Sequence, residues 1–486
     1  MESSVRIKKQ HLVVMPYPGR GHINPMMNFC KLLTTKFLVK DDIRITFVVT
    51  EEWLGFIESS SESRLPSQIQ LRSIPNVVPS ELVRGLDPGG FFLAVQTKME
   101  DPFEKLMDQL QEDDDTTMVV TTIIADTTLP WLVTVGDRRC IPVVSLWPMS
   151  PSVFSIYNHL DLLVQNGHYP VDSSSECGDE LVDYIAGVSP IRLADMPSVL
   201  KRSAQQFLSN IKESISAAHK AKCLLFTTYH ELEPQVIESL MKLLPLPIYS
   251  IGPTIPISIA LADACDTTGF HNNMNMEEQY YLKWLGSQPE NSVLYVSFGS
   301  FLSASSEQME EILAGLRESG VRYLLVSRGG QGHANNSVAD GDAYNNMTNA
   351  QSLVVPWCDQ LRVLCHSSVG GFWTHCGWNS TLECVYAGVP MLTFPVSMEQ
   401  PFNSKLIVDD WKIGMRVMKE NRMVKREEIA MTVTKFMNLN ADDEESKEMR
   451  ARANKFKKSS RQALANCGSS TTNLDHFIRN ILQYHS

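Results

Sequence analysis

Three groups of residues in this 486-residue chain have types and spacing suited to chemistry. The first is His22, in the loop GRGHINP directly after a short apolar run. Imidazole, with an unperturbed pKa of about 6.5, can take a proton from a weak nucleophile such as an alcohol near neutral pH. The second is Asp126, which follows MVVTTIIA. A carboxylate on the far ring nitrogen of His22 would fix its tautomer and stabilise the imidazolium that forms. The third is the run 357–400, WCDQLRVLCHSSVGGFWTHCGWNSTLECVYAGVPMLTFPVSMEQ.

In that run a strand at 369–373 leads into Thr374-His375-Cys376-Gly377 and then a helix. Gly377 permits close backbone approach, and Asn379 and Ser380 stand where capping residues stand. A helix N-terminus suits an anion such as a diphosphate. Glu383, four residues after Asn379, shares its face and suits sugar hydroxyls. Trp357 could stack on a flat base. Glu399 and Gln400 follow the next strand and offer further groups to hydroxyls. His375 lies inside the phosphate turn, which favours an electrostatic role over that of a second base.

The elements that must position these residues follow from periodicity. Strands are expected at about 10–16, 43–50, 118–125 and 142–147, with a helix after His22 carrying Met26, Phe29, Cys30 and Leu33 on one face. The pattern restarts with strands at 292–298, 323–327, 369–373 and 390–394 and a helix at 307–318. This is an α/β chain with parallel sheets, in two units of the same class. The expected division is 1–250, a linker over 251–291, and 292–464. Ligands bind at the carboxyl ends of such strands, and His22, Asp126, Ser300 and His375 all lie there.

Composition narrows the function classes. Apolar residues make up 43% and charged residues 20%, the globular range. No apolar run reaches the 18 or so residues of a spanning helix, and the start MESSVRIKKQ makes a poor signal peptide. The net charge of −12 argues against nucleic-acid binding. The basic run from Lys447 to Arg461 follows acids at 442–445 and reads as one solvated helix face, with Met449, Ala453, Phe456 and Leu464 buried. The ten cysteines have no CxxC spacing and read as reduced, mostly buried thiols. Asn-x-Ser/Thr triplets begin at Asn335, Asn346 and Asn379. The acidic strings at 113–115 and 340–342 sit in polar stretches, a poor context for a metal site.

The run 357–400 resembles the signature box of plant family-1 UDP-dependent glycosyltransferases. PYPGRGHINP, Asp126 and VSFGS extend the resemblance along nearly the whole chain. It implies the GT-B fold, two Rossmann-like domains facing across a cleft, with the C-terminal helix of 465–486 packing back on the first. The first domain would bind acceptor and the second UDP-sugar. It implies stacking of Trp357 on uracil, pairing of the Cys358 backbone with its edge, and ribose binding by Gln360 and Glu383. Ser300, His375, Asn379 and Ser380 would hold the diphosphate, with Gly377 also in the donor site, and Trp378, Glu399 and Gln400 would contact the sugar. Asp359 departs from the small residue or proline common in the family.

The resemblance further implies that His22 is the general base and Asp126 its orienting partner, with glucose moving from UDP-glucose to a small apolar acceptor in one inverting step. No metal or other cofactor is expected, and the protein is expected to be cytoplasmic, monomeric and without a membrane anchor. Phe91, Phe92, Trp131, Trp147 and Met149 are candidates for the acceptor pocket or for core. The acceptor group can be a hydroxyl or a carboxylate, and the donor another UDP-sugar. Two rival classes are a nicotinamide oxidoreductase, for which Gly19-x-Gly21 and Glu51 or Glu52 would be partial marks, and a non-catalytic nucleotide-sugar sensor.

Overall fold

The structure is a computed structural model, and it describes residues 9–37, 42–59, 65–112, 119–172, 177–201, 204, 207–256, 276–299, 305–327, 350–417, 423–438 and 443–482. Ser300, the acidic strings at 113–115 and 340–342, and the triplets at Asn335 and Asn346 lie outside the described residues.

In chain order the strands are β1 (Gln10–Met15), β2 (Ile43–Thr50), β3 (Ile69–Ile74), β4 (Thr122–Asp126), β5 (Val143–Trp147), β6 (Leu181–Val182), β7 (Ile191–Arg192), β8 (Cys223–Phe226), β9 (Ile248–Ser250), β10 (Val293–Ser297), β11 (Arg322–Val326), β12 (Ser352–Val355), β13 (Val369–Thr374), β14 (Met391–Thr393) and β15 (Gly414–Arg416). One sheet has the order β3-β2-β1-β4-β5-β8-β9, and another β12-β11-β10-β13-β14-β15. Every pairing within these two sheets is parallel. β6 and β7 form a separate antiparallel pair.

Parallel strands covered on both faces need apolar side chains on both. β1 shows how they divide. Leu12 and Val14 join a cluster with Phe29 and Phe47. Val13 and Met15 join the opposite cluster, with Phe91 and Phe103. β10 repeats this, with Leu294 and Val296 on one face and Val293 and Tyr295 on the other.

In each sheet the chain reverses its direction of travel at a central pair, β1/β4 in the first and β10/β13 in the second. A crevice opens at the carboxyl ends of such a pair. His22 follows β1, Asp126 ends β4, Gly299 follows β10 and His375 follows β13.

The segment read as a linker is partly helical. Met276–Gly286 forms a helix, and Tyr281 and Leu285 are buried with Val293 and Tyr295. The helix Ser469–Phe477 and the turn Ile478–Leu482 return to the first lobe. There Leu474, Phe477, Ile478, Ile481 and Leu482 complete the cluster around Leu12 and Phe29. The basic run lies on the helix Glu444–Leu464, with Met449 and Ala453 buried and Phe456 and Leu464 half-buried. No disulfide joins the described cysteines, of which Cys30, Cys223, Cys358, Cys376 and Cys384 are buried.

Candidate active site

His22 lies in the first turn of the helix Arg20–Thr34. Adjacent parallel pairing of β1 and β4 sets Met15 beside Ala125, so the loop after one meets the end of the other. His22 Nδ1 is 2.7 Å from Asp126 Oδ2. Asp126 is fully buried, whereas His22 remains 22% exposed.

The Asp126 carboxylate also accepts from Tyr17 N at 3.3 Å, from Thr128 N at 3.0 Å and from Thr128 Oγ1 at 2.6 Å. Burial alone would raise its pKa, but His22 and the Thr128 donors outweigh burial and hold it below the ordinary value. An ionised carboxylate only accepts, so Nδ1 carries the proton and Nε2 is left as the basic nitrogen. Tyr17 steadies the ring from one side, with centroids 5.0 Å apart. Sequence reasoning missed Tyr17 and Thr128. The Asp-Thr-Thr string after β4 was the available sign, since Thr two residues on commonly bonds such a carboxylate.

The second lobe carries the other residues. The helix Trp378–Ala387 starts at Gly377, and no side chain caps it. Asn379 and Ser380, expected as caps, lie inside the first turn and do other things. Asn379 Nδ2 donates to Gly21 O at 2.7 Å, joining this helix to the first turn of the His22 helix, where the sequence reading expected a loop. Ser380 Oγ accepts from Gln360 Nε2 at 2.9 Å. Gln360 Nε2 also reaches Glu383 Oε2 at 2.7 Å, while Tyr295 OH donates to Gln360 Oε1 at 3.3 Å. Burial raises Glu383 to about 7, against the opposing Gln360 bond.

Asp359 has a clear local function. Its side chain caps the helix Gln360–Leu364 through Arg362 N at 3.1 Å. Its own N–H donates to Tyr281 OH at 3.0 Å. Together these fix the turn that presents Trp357, a residue 42% exposed, and Cys358, which is buried.

His375 is wedged between two glycines. A Cβ on Gly299, where φ is +81°, would stand 2.7 Å from His375 Nε2, and one on Gly377 would stand 2.5 Å away. Burial lowers His375 to about 4, with the Ser297 backbone opposing. The ring is therefore neutral at pH 7 and can act only as a hydrogen-bonding group. Trp378 is 2% exposed and packs toward Trp411, with ring centroids 6.2 Å apart. Its indole Nε1 is buried without a partner among the described residues.

Glu399 stands at the start of the helix Gln400–Lys405. Burial raises its pKa, while its own N–H, His22 and the Trp378 N–H act to lower it. Gln400 Oε1 accepts from Val396 N at 2.8 Å and Ser397 N at 3.1 Å, so its amide oxygen braces the turn before it. Among the described residues, no group of three or more His, Cys, Asp or Glu could hold a metal ion. Nor is any helix among them long and apolar enough to cross a membrane.

The five apolar candidates divide. Phe92 and Trp131 line a cavity of about 1060 Å³ between the helices Pro88–Lys98, Trp131–Arg139 and Leu208–Lys220. Phe91 is 2% exposed in the core facing Tyr17. Trp147 is likewise 2% exposed, with its Nε1 donating to Ser150 O at 3.0 Å. Met149 packs half-buried on that core. The cavity is lined by neither His22 nor any residue of 357–400. Volume alone would put a ligand there, whereas His22, the residue expected to transfer a proton, lies outside its lining. Gln96 links the two places, lining the cavity and donating to Thr128 O at 2.8 Å.

The acids after β2 are engaged elsewhere. Glu52 accepts from Ser80 Oγ and from Glu81 N, and Glu51 accepts from Asn76 N. They pin a loop of the first lobe, which removes the mark of a nicotinamide site.

Residues 204–469, more than half of the chain, match the family model described as UDP-glucoronosyl and UDP-glucosyl transferase. The chain is 46% identical over 475 residues to UDP-glycosyltransferase 87A2 of Arabidopsis thaliana, covering 97% of each. It is 32% identical to 7-deoxyloganetin glucosyltransferase of Catharanthus roseus, covering 99% of this chain and 98% of that one. Among solved structures it resembles Phytolacca americana UGT2 complexed with UDP-2fluoro-glucose and pterostilbene, with TM-score 0.75, 26% identity and coverage of 98% and 99%. With this family match and two parallel sheets of this topology, the chain belongs to the plant family-1 UDP-glycosyltransferases, has the GT-B fold, and is an enzyme of glycosyl transfer from a UDP-sugar.

Proposed function

We propose that the protein moves glucose from UDP-glucose to a hydroxyl or carboxylate of a small apolar acceptor, with inversion, giving a β-glucoside. One observation carries this reading. The hydrogen-bonded His22–Asp126 pair is tied, through Asn379 and Gly21, to the helix start that suits a diphosphate. In this reading His22 Nε2 removes the acceptor's proton as the acceptor oxygen bonds to the anomeric carbon. The bond from that carbon to the β-phosphate oxygen breaks, and UDP leaves with the electron pair. Asp126 holds Nδ1–H and stabilises the imidazolium. An ionised carboxylate acceptor brings no proton to remove.

The donor roles are assigned as follows. Trp357 stacks on uracil and the Cys358 backbone meets its edge. Gln360 and Glu383 take the ribose hydroxyls, exchanging their mutual bond for the ligand. The start of the helix Trp378–Ala387, with Gly377, Asn379, Ser380, neutral His375 and Ser300, receives the diphosphate in place of a metal. Glu399, Gln400 and the edge of Trp378 face the sugar. Glucose as donor is supported by the Catharanthus relative's name and by the fluoro-glucose ligand of the Phytolacca neighbour. Pterostilbene in that neighbour supports an aromatic acceptor, whose body we assign to the Phe92 and Trp131 side of the first lobe. We assign acceptor binding to 1–250, donor binding to 292–464, and a cytoplasmic monomer as the working form.

The test is purified protein with a panel of UDP-sugars and a mixed library of phenols, terpenoid alcohols and carboxylic acids, read by mass. A gain of one hexose from UDP-glucose, with a β linkage by NMR, is expected. An α linkage, or transfer only from another UDP-sugar, would reject the reading.

A further inference from the structure

The turn between β14 and the helix Gln400–Lys405 delivers Glu399 to the cleft, and it is not held by its own lobe alone. On its own side, Gln400 Oε1 accepts from Val396 N and Ser397 N. The next residue, Met398, has φ of +59°. That left-handed backbone is unfavourable for a residue with a Cβ. Both polar backbone atoms of Met398 are engaged from across the cleft. Met398 N donates to Ser198 Oγ at 2.7 Å, and Ser198 N donates to Met398 O at 2.7 Å.

Ser198 is itself anchored by buried neighbours. It opens the single turn Ser198–Leu200, whose Val199 and Leu200 are buried. Upstream, Asp195 bonds Arg192 at 2.8 Å and meets Arg416 of the other lobe at 3.5 Å. Arg416 in turn bonds Asp409 at 2.7 Å. Further along the same strap, Ser189 Oγ donates to Asp410 Oδ2 at 2.6 Å.

We propose that Ser198 is a positioning residue for the donor sugar: from the acceptor lobe, it clamps Met398 in its left-handed conformation and thereby sets Glu399. This rests on the reading of Glu399 as a sugar contact. Its consequence is that the sugar end of the donor site is complete only when the lobes are engaged, whereas the uracil and ribose positions are built within the second lobe.

The test compares wild type with Ser198→Ala, Ser198→Thr and Glu399→Gln, using UDP-glucose and UDP-galactose as donors and UDP as an inhibitor. Ser198→Ala keeps the N–H bond to Met398 but loses the hydroxyl. Misplacement of a contact by a fraction of an ångström lowers turnover more than binding. We expect kcat with UDP-glucose to fall about tenfold, the glucose-over-galactose preference to shrink, and the UDP inhibition constant to stay within about twofold. Ser198→Thr, which keeps the hydroxyl, should restore kcat to within about threefold. If Ser198→Ala leaves kcat unchanged, or weakens UDP by the same factor as kcat, the inference is overturned and Ser198 merely joins the lobes. If Glu399→Gln leaves both kcat and sugar preference unchanged, the reading of Glu399 falls, and this inference with it.

Discussion

Replacing Asp126 with Asn tests the proton-transfer reading most sharply, because the structure dictates which way the amide must face. Both carboxylate oxygens meet donors. Oδ1 accepts from Thr128 N and Oγ1, and Oδ2 accepts from Tyr17 N and His22 Nδ1. An amide NH2 cannot face the Thr128 N–H at 3.0 Å without a clash of donors. At the Oδ2 position the opposing backbone donor, Tyr17 N, is farther away, at 3.3 Å. There the imidazole can also move its proton to Nε2 and accept on Nδ1. The amide therefore settles toward His22 and leaves Nε2 protonated, the tautomer that cannot act as base.

Loss of the charge adds to this. Two unit charges about 4 Å apart at an effective dielectric of about 20 attract by about 4 kcal/mol. At about 1.36 kcal/mol per decade, that is a factor near 10³ in rate. We expect Asp126→Asn to lower kcat about 10³–10⁴-fold with a hydroxyl acceptor. UDP affinity should stay unchanged, because the hydrogen-bond partners of Asp126 among the described residues, Tyr17, His22 and Thr128, all belong to the first lobe. With a carboxylate acceptor, already ionised at pH 7, the loss should be less than about tenfold. Initial rates with both acceptor types and calorimetric titration of UDP make the measurement. A variant keeping more than about a tenth of wild-type kcat on the hydroxyl acceptor would refute the reasoning.

Two further outcomes are expected. Trp357→Ala should weaken UDP about 5–150-fold, since stacking of a base on an aromatic ring is worth about 1–3 kcal/mol. Its Tm should barely move, because the residue is 42% exposed; a titration showing unchanged affinity would remove Trp357 from the uracil site. Glu233→Gln concerns stability. This buried carboxylate accepts from Ser150 Oγ at 2.8 Å and Ser152 Oγ at 2.6 Å on one oxygen, while Oε2 has no partner among the described residues. Burial raises it to about 7, above its ordinary 4.5. A raised folded pKa means that its contribution is fully present below the unfolded value near 4.5 and is lost as pH rises through about 7. The neutral amide keeps the serine bonds through its oxygen, so the variant should melt several degrees above wild type at pH 8 and level with it near pH 4.5. A lower Tm at both pH values would contradict this.

The parts of the molecule that could be read from residue order are those where one physical signal dominates. IRITFVVT is β-branched and apolar on both faces, and it forms a strand over the expected residues, Ile43–Thr50. His22 and Asp126 could be paired because adjacent parallel strands bring their carboxyl ends together. β3, IQLRSI, escaped notice because an edge strand alternates with polar residues, and only Ile69 and Ile74 are buried. β15 spans three residues, too few for any period. The helix Met276–Gly286 was obscured by the polar stretch preceding it. Apolar type alone could not separate Phe92, which lines a cavity, from Trp147, which is core. Nothing local could reveal the grip of Ser198 on Met398, since the two stand 200 residues apart in the chain and on different lobes. The expectation that Asn379 and Ser380 act as caps failed for a related reason. Long-range partners, Gly21 and Gln360, claimed their side chains.

The return of the residues after Ser469 to the first lobe has a consequence for biogenesis. During synthesis the ribosome delivers the strands of that lobe early, but Phe477 and Leu482, which close its apolar groove, follow the strands of the second lobe in the chain. The half that is made first is completed by residues that come after its partner, so its groove stays unfilled until that partner has been synthesised.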